Sequence, residues 1–194
     1  MPNGYSSKAV FLDRDGTIIV DKDYLKTPEE VELIPGTIEA IKLFNTLKLP
    51  VVVISNQSGV ARGYFSEEDV QRVNHRLQSL LQSKGARVDK IYYCPHYPEG
   101  VVEKYSVECD CRKPKPGMIL KACRDLGITP DGSFVVGDKD SDIILGRAVN
   151  ALTILVLTGK GETAVQKPDF VAKNILEAAH WIEGRLKYER STIL

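Results

Sequence analysis

Short, mostly apolar runs recur along the chain, at residues 9–12, 51–55, 88–93, 133–136 and 152–157. Apolar runs of this length with little alternation predict strands covered on both faces. Between them the apolar spacing becomes helical. Residues 37–47 place Ile38, Ile41 and Leu47 on one side with Phe44 close by. Ser66-Glu67-Glu68-Asp69 resembles a capping box, and it opens a helix whose stripe is Val70, Val73, Leu77 and Leu80 or Leu81. Pro116 suits the first turn of a third helix, with Met118, Ile119, Ala122, Cys123 and Leu126 inside and Gly127 just past its end. A fourth helix is expected over 141–149 and a last one from Ile175 towards Tyr188.

Strands alternating with helices predict an α/β fold, a Rossmann-like three-layer α/β/α arrangement around a parallel sheet joined by right-handed crossovers. In such sheets ligands bind beyond the carboxyl ends of the strands. The polar residues Asp13 and Asp15, then Ser55-Asn56-Gln57, then Gly137-Asp138-Lys139-Asp140 each follow one of the expected strands. Two connections, 18–35 and 94–115, exceed the roughly 12–15 residues beyond which loops in compact domains are usually functional. Neither is long enough to form a cap domain of its own. The whole of 1–194 is therefore expected to form one domain with an open, loop-covered pocket.

Composition narrows the partners. Lys plus Arg and Asp plus Glu number 26 each, so no global charge favours nucleic acid or a membrane surface. No apolar stretch approaches the roughly 20 residues of a membrane span. Residues 1–7 lack the apolar centre of a signal peptide, and a cytoplasmic location is expected, with the chain acting as a monomer. Three of the four cysteines crowd together with a histidine, which suits metal binding in a reducing compartment better than disulfides.

Asp13-Arg14-Asp15-Gly16-Thr17 holds two carboxylates one residue apart, which would repel unless a cation or a shared proton offsets them. Taken alone, the Asp-Gly pair also reads as a turn. With Ser55, Lys113 and Asp138 added, the chain carries the inventory for phosphoryl transfer through an aspartyl phosphate. A hard cation is required there, because a carboxylate must approach a phosphomonoester; Mg²⁺ would be held by Asp13, Asp138 and a backbone carbonyl near Asp15. Asp15 would pass a proton to the leaving alkoxide and take one from water. The second constellation is Cys94-Pro95-His96, then Cys109-Asp110-Cys111. Three thiols and an imidazole in two close pairs suit a closed, structural Zn²⁺ site better than unrelated thiols or a redox pair. Arg112-Lys113 follows at once, so this loop would deliver two cations towards the phosphate site, preorganised.

Asp13-x-Asp15-Gly16-Thr17, Ser55 after an apolar strand, Lys113 before a helix, and Gly137-Asp138-x-x-x-Asp142 together resemble the four motifs of haloacid dehalogenase (HAD) superfamily phosphatases. The resemblance implies Asp13 as nucleophile, Asp15 as general acid and base, Ser55 and Lys113 as phosphoryl stabilisers, and a magnesium site of Asp13, Asp15 and Asp138, with the Lys139 backbone as a further contributor. For Asp142 a helix N-terminal role or a supporting one stands beside direct ligation. Cys94-Pro95-His96, the run 109–118 and the run 55–63 are similar to the D-glycero-D-manno-heptose 1,7-bisphosphate 7-phosphatases and the related histidinol-phosphate phosphatases, over about 8–160. This implies a sugar bisphosphate as substrate, with heptose synthesis for surface polysaccharide as its setting. Asp21, Lys22, Asp23 and Tyr24 would line the pocket with Ser55, Asn56, Gln57 and Ser58, and Arg112 would read the substrate. Ser55 stands where a threonine is common in the heptose enzymes; either supplies the hydroxyl.

Other readings are a histidinol-phosphate phosphatase, a DNA 3′-end phosphatase, and a non-enzymatic zinc-loop interaction module. Neutral charge and the lack of a basic, aromatic-studded stripe weigh against DNA, and the complete catalytic set weighs against the module. Arg62 suits an anion or solvent equally. His75, His180 and Trp181 are expected on the surface or in packing, Cys123 in the core, and 183–190 on a solvated helix end.

Overall fold

The computed structural model describes residues 7–192; the segment 1–6, on which the reading of the N-terminus mostly rests, and residues 193–194 lie outside it. Six parallel strands, β1 (Val10–Leu12), β2 (Val51–Asn56), β3 (Lys90–Cys94), β4 (Phe134–Gly137), β5 (Leu152–Val156) and β6 (Phe170–Ala172), form one sheet in the order β3-β2-β1-β4-β5-β6. The chain runs outwards from β1 to β3 and then returns to place β4 on the other side of β1. The order therefore switches at the sheet centre, between β1 and β4.

Strand residues alternate between two cores, as the period of two requires. Val10, Leu12, Val51 and Val53 face one layer, with Ile41 and Phe44 of α1 (Thr37–Thr46), Leu77 of α2 (Glu67–Ser83) and Ile182 of α5 (Ile175–Thr192). Phe11, Val52, Ile54 and Val135 face the other, with Ile119 and Ala122 of α3 (Gly117–Leu126) and Leu145 of α4 (Asp140–Ala148). Helices on both faces explain why these strands carry apolar residues at nearly every position.

Some expectations are settled or changed in detail. In α1 the buried stripe is Ala40, Ile41 and Phe44, and Ile38 and Leu47 lie at its margin. In α2 it is Leu81 that is buried, with Leu80 packed beside it. Strand β6 is an addition: with three residues, only one of them buried, it leaves too short an apolar run to register. The other elements fall within a few residues of expectation. Ser66 and Asp69 form the capping box of α2, and Gly127 closes α3 with φ 64°. Pro116 is the residue before α3 rather than part of its first turn.

The connection from β1 to α1 holds only short bridges and one turn of 3-10 helix, and that from β3 to α3 another such turn. Among the described residues no helix is long and apolar enough to cross a membrane.

Candidate active site

Strand β1 ends at Leu12, and the next amide keeps the ladder going, Asp13 N donating to Val136 O at 2.9 Å. Asp13 is thereby fixed at the switch point, beside Asp138 at the end of β4. Gly16 then turns the chain back at φ +86°. A side chain there would strike the Asp138 carboxylate, because an added Cβ lies 2.3 Å from Asp138 Oδ2. Gly159, after β5, approaches from the other side at φ +61°, its added Cβ 2.2 Å from the same oxygen. The two glycines let backbone close round a buried carboxylate, and Lys160 N donates to it at 2.8 Å.

Asp13, Asp138 and Asp142 are buried, and each offers an oxygen within 4.8 Å of the others. Lys113 is buried among them, its ammonium 2.7 Å from Asp13 Oδ1, 2.7 Å from Asp142 Oδ1 and 3.1 Å from the Ile54 carbonyl. Burial opposes the charge on Asp13, yet Lys113 and Lys139 outweigh it and hold its carboxyl below the ordinary range. Burial likewise opposes the Lys113 charge, which Asp13 and Asp142 sustain. Three carboxylates against one buried ammonium leave negative charge in excess. Asp138 shows it: burial, then the Asp13 charge, pushes its carboxyl up to about 7. Burial, partly offset by Lys113, lifts Asp142 to about 6.

This cluster suits a magnesium ion. Asp138 Oδ1 is buried and receives no hydrogen bond. The nearest cation is the Lys139 ammonium, 3.6 Å from Asp138 Oδ1, 3.9 Å from Asp13 Oδ2 and 3.5 Å from the Asp15 carbonyl. A cation is thus already drawn to the oxygens that a hard divalent ion would take. The Lys139 carbonyl, expected as a further contributor, accepts the Asp142 N–H in the first turn of α4, and the Lys139 side chain also enters the site. Asp142 acts both as a cap, accepting from Lys139 N at 3.2 Å, and as the Lys113 partner.

The Asp15 carboxylate is engaged elsewhere. Arg14 Nε and Nη2 reach it at 3.1 and 3.0 Å, Gln57 Nε2 at 2.9 Å and Ser55 Oγ at 3.2 Å. Of Asp15, then, it is the carbonyl that faces the metal region. Gln57 turns inward, and Asn56 spends both ends of its amide on the Lys113 backbone, at 3.1 and 3.0 Å.

A cleft of about 310 Å³ opens above this floor, lined among others by Asp15, Asp21, Asp23, Tyr24, Asn56, Gln57, Ser58, Arg112, Lys113, Lys139 and Lys160. Asp21 lies 3.4 Å from Lys139 Nζ. Lys22 is not among the lining residues, because its ammonium is held by the Glu30 carbonyl and the Glu32 carboxylate at 3.0 and 3.2 Å. At the outer wall Arg112 donates to the His96 carbonyl at 3.3 Å and lies 5.0 Å from the Tyr97 ring. Arg62 covers the same ring at 4.0 Å.

Behind Arg112 the four expected zinc ligands converge. Cys94 Sγ is 3.0 Å from Cys111 Sγ and 3.5 Å from Cys109 Sγ, and His96 Nδ1 is 3.3 Å from Cys111 Sγ. The close contact with Cys94 pulls the Cys111 thiol down to about 5, and the same contact, with burial, pushes Cys94 up. Thiols that share protons around one point suit a zinc ion, which takes the deprotonated form. His75 and His180 are exposed on helices, Trp181 stacks on Phe170 at 5.1 Å, and Cys123 is only partly buried, packed at the edge of the second core.

Three contributors escaped the sequence reading. Arg14 carried a signal, an arginine between two aspartates, and Asn74 another, a polar residue on the apolar stripe of α2. Lys160 follows β5 as the other site residues follow their strands, yet Thr158-Gly159-Lys160 looks like an ordinary turn.

Residues 110–178 match a family model described as HAD-hydrolase-like. A Pasteurella multocida protein named D-glycero-beta-D-manno-heptose-1,7-bisphosphate 7-phosphatase is 42% identical over 91% of this chain and 97% of its own length. The Escherichia coli protein of the same name is 40% identical over 94% of this chain and 97% of its own. Among solved structures, the D,D-heptose 1,7-bisphosphate phosphatase from B. bronchiseptica complexed with magnesium and phosphate superimposes with a TM-score of 0.82 at 30% identity, over 92% of this chain and 99% of that one.

Proposed function

The chain belongs to the family of D-glycero-beta-D-manno-heptose-1,7-bisphosphate 7-phosphatases, HAD-like hydrolases, and from that premise we propose that it removes the 7-phosphate of the β-anomeric heptose bisphosphate. The carrying observation is one cleft with a carboxylate–ammonium floor, Asp13, Lys113 and Asp142, and Arg112 at its outer wall. Floor and wall divide two tasks on one substrate. Asp13 attacks the phosphorus at the floor while Arg112, bidentate by nature, meets the anion at the far end.

Asp13, Asp138 and the Asp15 carbonyl would hold magnesium, which when bound offsets the charge of the carboxylates and of the phosphoryl oxygens. Lys113 keeps Asp13 ionised and faces the phosphoryl group. Asp13 forms the P–O bond as the sugar oxygen leaves with a proton from Asp15. The Asp15 carboxylate then takes a proton from the water that attacks the aspartyl phosphate, and inorganic phosphate departs. Ser55 supports the phosphoryl oxygens. The product would feed activated-heptose synthesis for surface polysaccharide, in the cytoplasm and with the protein as a monomer.

A substrate panel tests this reading: both heptose bisphosphate anomers, histidinol phosphate and a 3′-phosphorylated oligonucleotide. The highest kcat/KM is expected for the β-bisphosphate. Dominance of histidinol phosphate or of the oligonucleotide would overturn the assignment.

A further inference from the structure

Among the described residues Arg14 is the largest fully buried side chain, 1% exposed. Burying a guanidinium is costly unless its donors are met, and here they meet two things. Nε and Nη2 grip the Asp15 carboxylate side-on, while Nη1 donates to Asn74 Oδ1 at 2.9 Å. Asn74 is buried on α2, beside Val73 on the helix's apolar face. Helix α2 supplies no group to the cleft through this residue, so its polar side chain needs another reason to be there.

The other donors to Asp15 are unevenly shared. Oδ2 receives Gln57, Ser55 and Arg14 Nε, whereas Oδ1 meets the guanidinium alone. A carboxylate held by a planar fork cannot rotate about its last bond, so the direction each oxygen presents is fixed. We propose that Arg14, itself held by Asn74, is a positioning residue that fixes the plane of Asp15, so that one oxygen is presented for proton exchange with the leaving group. This rests on the role given to Asp15 above. The proton moves from Asp15 to the departing alkoxide as the Asp13–phosphorus bond forms and the phosphorus–oxygen bond to the sugar breaks. Arg14 forms and breaks nothing itself.

Leaving-group chemistry separates this role from a structural one. A p-nitrophenolate leaves without a proton, whereas a sugar alkoxide needs one, and kcat/KM reports only the steps up to bond cleavage. In Arg14→Met, kcat/KM for the heptose bisphosphate should fall about 100-fold, at the lower end of what general acid catalysis contributes. For p-nitrophenyl phosphate the same variant should change less than about threefold. Asn74→Leu should repeat the pattern at about tenfold, and it decides the matter if Arg14→Met fails to fold. Arg14→Lys keeps the charge without the fork and should resemble Arg14→Met. Equal losses on both esters, or none on either, would overturn the proposal. Asp15→Asn is measured beside them: if it shows no leaving-group dependence, the role of Asp15 fails, whereas dependence in Asp15→Asn but not in the Arg14 and Asn74 variants sinks positioning alone.

Discussion

The aspartate cluster and the cysteine–histidine cluster lie at the same end of the sheet but rest on different supports. Asp13 and Asp138 follow adjacent central strands, and Asp142 opens a helix packed against them. Backbone closes on them through Gly16 and Gly159. Of the zinc ligands only Cys94 belongs to a strand, the last residue of edge strand β3, and the rest come from the connection that follows. The sheet therefore holds the proposed reacting charge, and the loop that carries the cysteine–histidine cluster holds the proposed recognising one. Lys113 joins the two: its backbone leaves the loop two residues after Cys111, is clasped by Asn56 of β2, and sends its ammonium into the aspartates.

The comparison breaks hardest at the proposed nucleophile. Asp13→Asn should lower phosphate release by at least about 10³-fold, as expected for loss of a group that acts within a catalytic unit, with the circular dichroism spectrum unchanged. Retained turnover would remove the covalent mechanism. Gly159→Ala tests the closeness of the backbone around Asp138. With nowhere for the methyl group to go, displacement of that carboxylate should cost about 10²-fold in kcat, the scale of an ångström-sized misplacement; full activity would mean that the contact can relax.

Cys111→Ser tests the loop. Metal analysis should find less than one zinc per chain, and kcat should fall about 10- to 100-fold, as when a supporting partner of an active group is lost. The sheet should keep its melting transition more nearly than the loop keeps its protection from proteolysis. If turnover survives loss of zinc, Asn56 alone suffices to place Lys113. Arg112→Met should have the smallest effect, a rise in KM of about tenfold on the bisphosphate, equivalent to about 1.4 kcal/mol, with little change on a heptose 7-monophosphate. Equal rises on both would move the recognition of the second anion elsewhere.

Much of this arrangement was legible in advance because strand ends in a parallel sheet converge whatever the loops do. Asp13, Asp15, Ser55 and Asp138 needed only apolar runs of the right length before them, and Cys94, His96, Cys109 and Cys111 needed only their spacing. Edge strand β6 was not legible, since its pairing rather than its own three residues makes it a strand. Nor were the directions of side chains. Lys22 and Tyr24 stand in one short run, yet only Tyr24 lines the cleft. Gln57 lines the cleft as expected, but that it also donates to Asp15 could not be read from the chain.

By itself the sequence determined the layered α/β order, the family, and which carboxylates, cations and thiols would gather at the strand ends, because these depend on residue type, period and spacing along the chain. The tertiary structure alone decided who partners whom. It placed Asn74 of α2 against Arg14, sixty residues away, and put the Lys139 ammonium among the oxygens of Asp13, Asp138 and Asp15. The physical reason is that the energy of a buried charge depends on what surrounds it in space. An arginine between two aspartates is a repeat of charges in the chain; only folding makes it a clamp on one of them.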